Sequence, residues 1–151
     1  MIRVYSDEYF MGLAFEEAKK AAAHDEIPIG AVLVFNQQIL AKTYNQTELL
    51  TDVTAHAEIL AITAGSQFLN SKYLKECTLF VTLEPCPMCA AALRWAQLGK
   101  LVYAAEDEKM GYMKFGNELL HPKTRVEFGM MRAESAQLLK AFFVRKRKKL
   151  S

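Results

Sequence analysis

The stretch TLFVTLEPCPMCAAALRWAQLGKLVYAA, residues 78–105, decides the architecture. Its first run, Thr78 to Leu83, is rich in β-branched and aromatic residues, and Pro87 stands where a helix can open. A helical segment from Pro87 to Leu98 follows, and Leu101 to Ala105 is again a short apolar run. Strand, helix and strand in this order predict two parallel strands joined by a right-handed crossover.

Working outward, Ser6 caps a helix with Asp7 and Glu8 in its first turn, and Phe10, Leu13, Ala14, Glu17, Ala18 and Ala21 line one face to an end near His24. Pro28 opens a run from Ile29 to Phe35, separated from Ile39 to Tyr44 by Asn36, Gln37 and Gln38, which reads as a hairpin. A helix is expected over Ala55 to Phe68, with Thr54 or Asp52 near its start. Met110 to Lys123 has weak periodicity and reads as loop with one helical turn near Asn117 to Leu120. Val126 to Met130 is the last expected strand, and Ala133 to Lys149 a helix whose Leu138, Leu139, Phe142 and Phe143 face inward. The sum is a three-layer α/β/α domain around a mixed sheet of about five strands.

At 151 residues and 52% hydrophobic content, one domain with a full core is expected over residues 1–151. No run approaches the roughly eighteen apolar residues of a membrane span, and the N-terminus carries acids where a secretion signal has an apolar core. The cytoplasm is the expected compartment. The net charge of +2 is unevenly spread: Lys140, Arg145, Lys146, Arg147, Lys148 and Lys149 lie beyond the last acid, Glu134. A mildly acidic body with a basic C-terminal segment suits a polyanionic partner, or else a solvated helix tail.

Three cysteines are too few and too odd in number for a disulfide framework, but Cys86-x-x-Cys89 has the spacing of metal ligands or a redox pair. His56 joins them, because all three stand at the starts of expected helices, where partial positive charge stabilises thiolates. Two thiolates and one imidazole suit zinc and leave a fourth tetrahedral position for water, the arrangement of a catalytic site. Glu58, two residues from His56, is placed to take a proton from that water. A closed site with Cys77 as fourth ligand is disfavoured, since the strand Thr78 to Leu83 separates its ends by roughly 20 Å. A dithiol redox pair leaves His56 and Glu58 without roles.

The segment Thr54-Ala55-His56-Ala57-Glu58, with Glu84-Pro85-Cys86-Pro87-Met88-Cys89, resembles the signature of the cytidine deaminase-like zinc enzymes. Ile27 to Val34, Asn45, Val81 to Glu84 and Leu138 to Arg145 extend a closer resemblance, to the bacterial tRNA adenosine deaminases, over nearly the whole chain. That resemblance implies conversion of a wobble adenosine to inosine in the anticodon loop of tRNA, one zinc ion per subunit and a homodimer. It implies that His56, Cys86 and Cys89 bind the metal and that Glu58 shuttles protons. Asn45 would hydrogen-bond a flipped nucleotide, the backbone N–H of Ala57 would read its base, and Asp107 would lie in the loop lining the nucleic-acid side. The chain departs from the pattern at Tyr112-Met113-Lys114-Phe115, where the family has small residues; these aromatics offer stacking surfaces for unpaired bases, or pack the loop against a dimer partner.

The other histidines, His24 at a helix end and His121 before a proline, read as structural, and Trp95 and the seven methionines as core or dimer interface. Two competing functions share these residues: deamination of a free base or nucleoside, guanine above all, and a non-catalytic zinc-stabilised nucleic-acid binding module, in which Glu58 would be idle.

Overall fold

A computed structural model describes residues 4–150. Strands β1 (Gly30–Phe35) and β2 (Gln38–Tyr44) form the expected hairpin. Its loop is one residue shorter than the sequence suggests: Gln38 already pairs with Phe35, and the turn is Asn36 and Gln37, at φ 53° and 67°. Positive φ at both central residues is the twist that matches two antiparallel strands.

The sheet has the order β2-β1-β3-β4-β5, with β3 (Cys77–Leu83), β4 (Lys100–Ala105) and β5 (Arg125–Phe128) mutually parallel and β1 antiparallel to both its neighbours. Alternating side chains of β1 divide the core. Ala31 and Leu33 pack with Ala57 and Ala61 of α2 (Ala57–Leu69) and Ala90 and Leu93 of α3 (Pro87–Ala96). Val32 and Val34 point the other way, onto Phe10, Met11 and Ala14 of α1 (Asp7–Ala23). With α4 (Arg132–Leu150) beside α1, the result is the α/β/α sandwich expected.

Ser6 caps α1 as expected, its Oγ accepting the Tyr9 N–H at 3.2 Å. At Gly30 a Cβ would collide with the Ala14 carbonyl oxygen and the Ala18 amide nitrogen, so only glycine lets α1 lie this close to β1.

Other boundaries move for local reasons. Helix α2 begins at Ala57, not Ala55, because Asp52 Oδ1 accepts from both the N–H and the hydroxyl of Thr54, at 2.8 and 2.7 Å. That turn keeps the backbone extended until His56, which is itself the N-cap residue. Helix α3 ends at Ala96 because Gln97 is left-handed, φ 55°, and Leu98 closes the end through its N–H to the Leu93 carbonyl. Gly129, at φ 106°, stops β5 before Met130. A 3₁₀ turn over Tyr112–Lys114 precedes the expected one at Asn117–Leu119.

One side-chain expectation is corrected and another is narrowed. Phe142 is buried, but its neighbour Phe143 is 42% exposed, since consecutive helical positions differ by about 100° and cannot both face the core. Of the two readings of Trp95, core or dimer interface, the first is excluded: it stands on the outer side of α3, 80% exposed.

Candidate active site

Strand β3 runs out at Leu83, and the Glu84 N–H donates to the Ala105 carbonyl, which aims the next turn back over the end of the sheet. Cys86 is the N-cap of α3, Pro87 its first residue, and Cys89 lies in its first turn. The neighbouring helix brings His56 to the same place, again as N-cap. Its Nδ1 stands 3.7 Å from Cys86 Sγ and 3.4 Å from Cys89 Sγ. The three donor atoms lie within 4.8 Å of one another, and no other such group of three occurs among the described residues. Ligands about 2.0–2.3 Å from one tetrahedral ion stand about 3.6–3.8 Å apart, so the donor set fits a single zinc. Cys77 is absent from the group: it opens β3 at the far end of the sheet, and burial pushes its thiol up to about 11.

The site's electrostatics follow from this packing. A hydrogen bond from Cys89 pulls the Cys86 thiol down to about 4, with His56 acting in the same direction. The same bond and burial hold Cys89 well above the ordinary thiol range. His56 is raised by its hydrogen bond to Cys86. Glu58 is buried in the first turn of α2, and burial pushes its carboxyl up to about 7. A carboxyl so poised can both accept and donate a proton near neutrality.

Among the described residues three buried side-chain polar atoms lack a hydrogen-bond partner: Glu58 Oε1, Asn45 Oδ1 and Ser135 Oγ. Buried polar atoms are normally satisfied, so the two that belong to sequence-predicted site residues are acceptors awaiting a partner. Asn45 follows β2, its N–H donating to the Ile29 carbonyl at 3.0 Å and its Nδ2 reaching the Ile27 carbonyl only at 3.4 Å. Ala57 is fully buried, and its carbonyl accepts from Thr43 Oγ1 at 2.7 Å, tying β2 to the start of α2. Asp107 is turned partly into its own loop: Oδ1 accepts the N–H groups of Lys109 and Met110, at 3.1 Å each. It also lines a groove of about 920 Å³ with Ile27, Ile29, Leu83, Lys140 and Arg147.

The sequence left two residues without a role. Glu26, buried, accepts the N–H groups of Glu48 and Leu49 at 3.0 and 2.7 Å and so holds the loop between Asn45 and His56. Glu84, also buried, accepts from Asp107 and Met113 at 3.1 and 3.0 Å. The only local signal for either is an acid directly beside an apolar, proline-containing segment. The two aromatics of the unusual loop part company: Tyr112, 1% exposed, packs edge-on against Tyr103, whereas Phe115 is 53% exposed. Tyr112 is therefore unavailable for base stacking.

The sheet order, the His56, Cys86 and Cys89 group and the buried Glu58 together define a deaminase of the cytidine deaminase-like fold. The sequence profile of the MafB19-like deaminases matches residues 5–147. The chain is 43% identical to the tRNA-specific adenosine deaminase of Agrobacterium fabrum (strain C58), over 92% of this chain and 95% of that protein. It is 40% identical to the enzyme of the same name in Bacillus subtilis (strain 168), over 95% and 92%. A solved structure from a study of A-to-I editing by tRNA:A34 deaminases superimposes with a TM-score of 0.82 at 43% identity, covering 87% of this chain and 99% of that one. A guanine deaminase from Bacillus subtilis superimposes with a TM-score of 0.65 at 36% identity, over 68% and 66%. The chain belongs to the MafB19-like deaminase family and to the tRNA-specific adenosine deaminases.

Proposed function

We propose that this protein hydrolyses the wobble adenosine of a tRNA anticodon loop to inosine, releasing ammonia. The observation that carries the chemistry is the buried, unpartnered Glu58 Oε1 beside the three-donor group. His56, Cys86 and Cys89 would hold one zinc ion, which supplies Lewis acidity and lowers the pKa of water at the open position. Glu58 takes the proton of the attacking water and delivers it to the ring nitrogen beside the amino-bearing carbon. It then takes the proton of the hydroxyl newly added to that carbon and gives it to the amino group, which leaves as ammonia while the carbonyl of inosine forms. Asn45 offers its free Oδ1 to the extruded nucleotide, and the Ala57 N–H, one of the helix's unbonded first-turn donors, reads the base. Asp107 shapes the rim through its bonds to Lys109 and Met110.

The relatives named above support tRNA as the substrate, and Lys140 and Arg147 on the wall of the groove beside Asp107 suit phosphate contacts. No helix among the described residues is long and apolar enough to cross a membrane, and the reading places the protein in the cytoplasm. It also makes the protein a homodimer, in keeping with the apolar side chains of Met88 and Trp95 left exposed on α3. Likeness to a guanine deaminase favours free guanine as the second reading. Zinc-loaded protein incubated with an anticodon stem-loop, free adenosine, guanine or cytosine separates the two: inosine from the stem-loop alone establishes the first, and ammonia from guanine replaces it with the second.

A further inference from the structure

The loop from Asp107 to Met113 borders the groove. What holds it is the turn that carries the metal-binding cysteines. The Asp107 and Met113 N–H groups donate to the two oxygens of Glu84, at 3.1 and 3.0 Å. Between them the Tyr112 N–H donates to the Pro85 carbonyl at 2.9 Å. At Gly111 a Cβ would collide with the Glu84 carboxylate, so only glycine lets the loop lie this close to it. The loop is also internally braced, by Asp107 Oδ1 on Lys109 and Met110 and by the Gly111 N–H on the Asp107 carbonyl. It thus forms a rigid unit attached, through Glu84 and Pro85, immediately before Cys86. Glu84 itself lies outside the three-donor group.

We infer that Glu84 is a positioning residue: its carboxylate fixes the RNA-facing loop 107–113 in register with the metal-binding turn, and so sets how well a structured RNA fits rather than how fast the base reacts. The inference rests on the tRNA reading above. In Glu84→Gln one oxygen still accepts a loop N–H, but the new NH₂ opposes the other, and the loop loses its fixed register. Because His56, Glu58, Cys86 and Cys89 are untouched, the loss falls on binding that is common to ground and transition states.

The test compares unmodified protein with Glu84→Gln on an anticodon stem-loop bearing wobble adenosine, measuring KM, kcat and zinc per chain. A KM raised about tenfold or more, with kcat within about threefold and zinc unchanged, is the expected result. An unchanged KM overturns the inference, as does a kcat that falls together with zinc content, which would make Glu84 part of the metal site's support. If the unmodified protein fails to convert the stem-loop, the tRNA reading falls, and this inference with it. Hydrogen exchange on the unmodified protein covers a variant that does not fold: the Asp107 and Met113 amides should exchange at least about tenfold slower than unprotected amides. Free exchange at Met113 overturns the inference.

Discussion

His56 Nδ1 stands 3.4 Å from Cys89 Sγ, although 33 residues separate the two in the chain. Two helix starts carry these atoms, so whatever binds them also clamps α2 to α3. Chelation should lower the unfolding midpoint and zinc should restore it. At free metal a thousandfold above its dissociation constant the coupling is about 4 kcal/mol. Calorimetry with and without chelator checks this, and Cys86→Ser should abolish the difference. A midpoint indifferent to chelator would refute the metal reading.

Glu58→Gln keeps the shape of the side chain and removes the proton carrier. Turnover should fall by about 10²–10⁴-fold with zinc content unchanged. Loss of metal in this variant, seen by elemental analysis, would mean that Glu58 supports the ligands instead of moving protons.

Tyr112 and Phe115 should behave oppositely. Removing the buried ring in Tyr112→Ala is expected to cost about 3–5 kcal/mol in urea unfolding, as large core truncations do. Phe115→Ala should change stability by less than about 0.5 kcal/mol. If its ring stacks on RNA, the stem-loop KM rises; an unchanged KM leaves that ring out of recognition.

Cys77 makes a pH prediction. Burial raises its thiol to about 11 from 9.0. The folded protein therefore holds this proton after the unfolded chain has released it. The contribution is full below about pH 9 and is lost as pH rises through about 11, by an order of magnitude of 2–3 kcal/mol. The difference in stability between the native protein and Cys77→Ala, measured at pH 8 and pH 11, isolates it. A difference that does not change with pH would contradict the burial.

Salt should weaken stem-loop binding steeply. Of the basic C-terminal residues, Lys146 is engaged with Asp25 and Arg145 reaches the Ala22 carbonyl, while Lys140 and Arg147 face the groove. Each phosphate contact adds about 0.7–0.9 to the slope of log affinity against log salt. Lys140→Ala with Arg147→Ala should reduce the slope by about 1.5. An unaltered slope would move the RNA elsewhere on the surface.

Much of this was legible in the sequence because it is periodic or closely spaced. The strands alternate or run apolar, and His56, Cys86 and Cys89 stand where helices open. Helix ends were less legible, being set by a left-handed Gln97 or by the Asp52 to Thr54 turn rather than by hydrophobic pattern. The roles of Glu26 and Glu84 were hidden for a different reason. Their partners are backbone N–H groups of loops 22 to 29 residues away, and no side-chain pattern encodes those. Nor does a loop without periodicity reveal that Tyr112 turns inward and Phe115 outward.

The exposure of Trp95 has an optical consequence. As the chain's one tryptophan, facing water in the single folded chain, it should emit at nearly the same wavelength in an undimerised folded chain as after denaturation. Its fluorescence is thus a gauge of contact rather than of folding within one chain: a blue shift on raising protein concentration, or on adding RNA, would report directly that something has come to lie over α3.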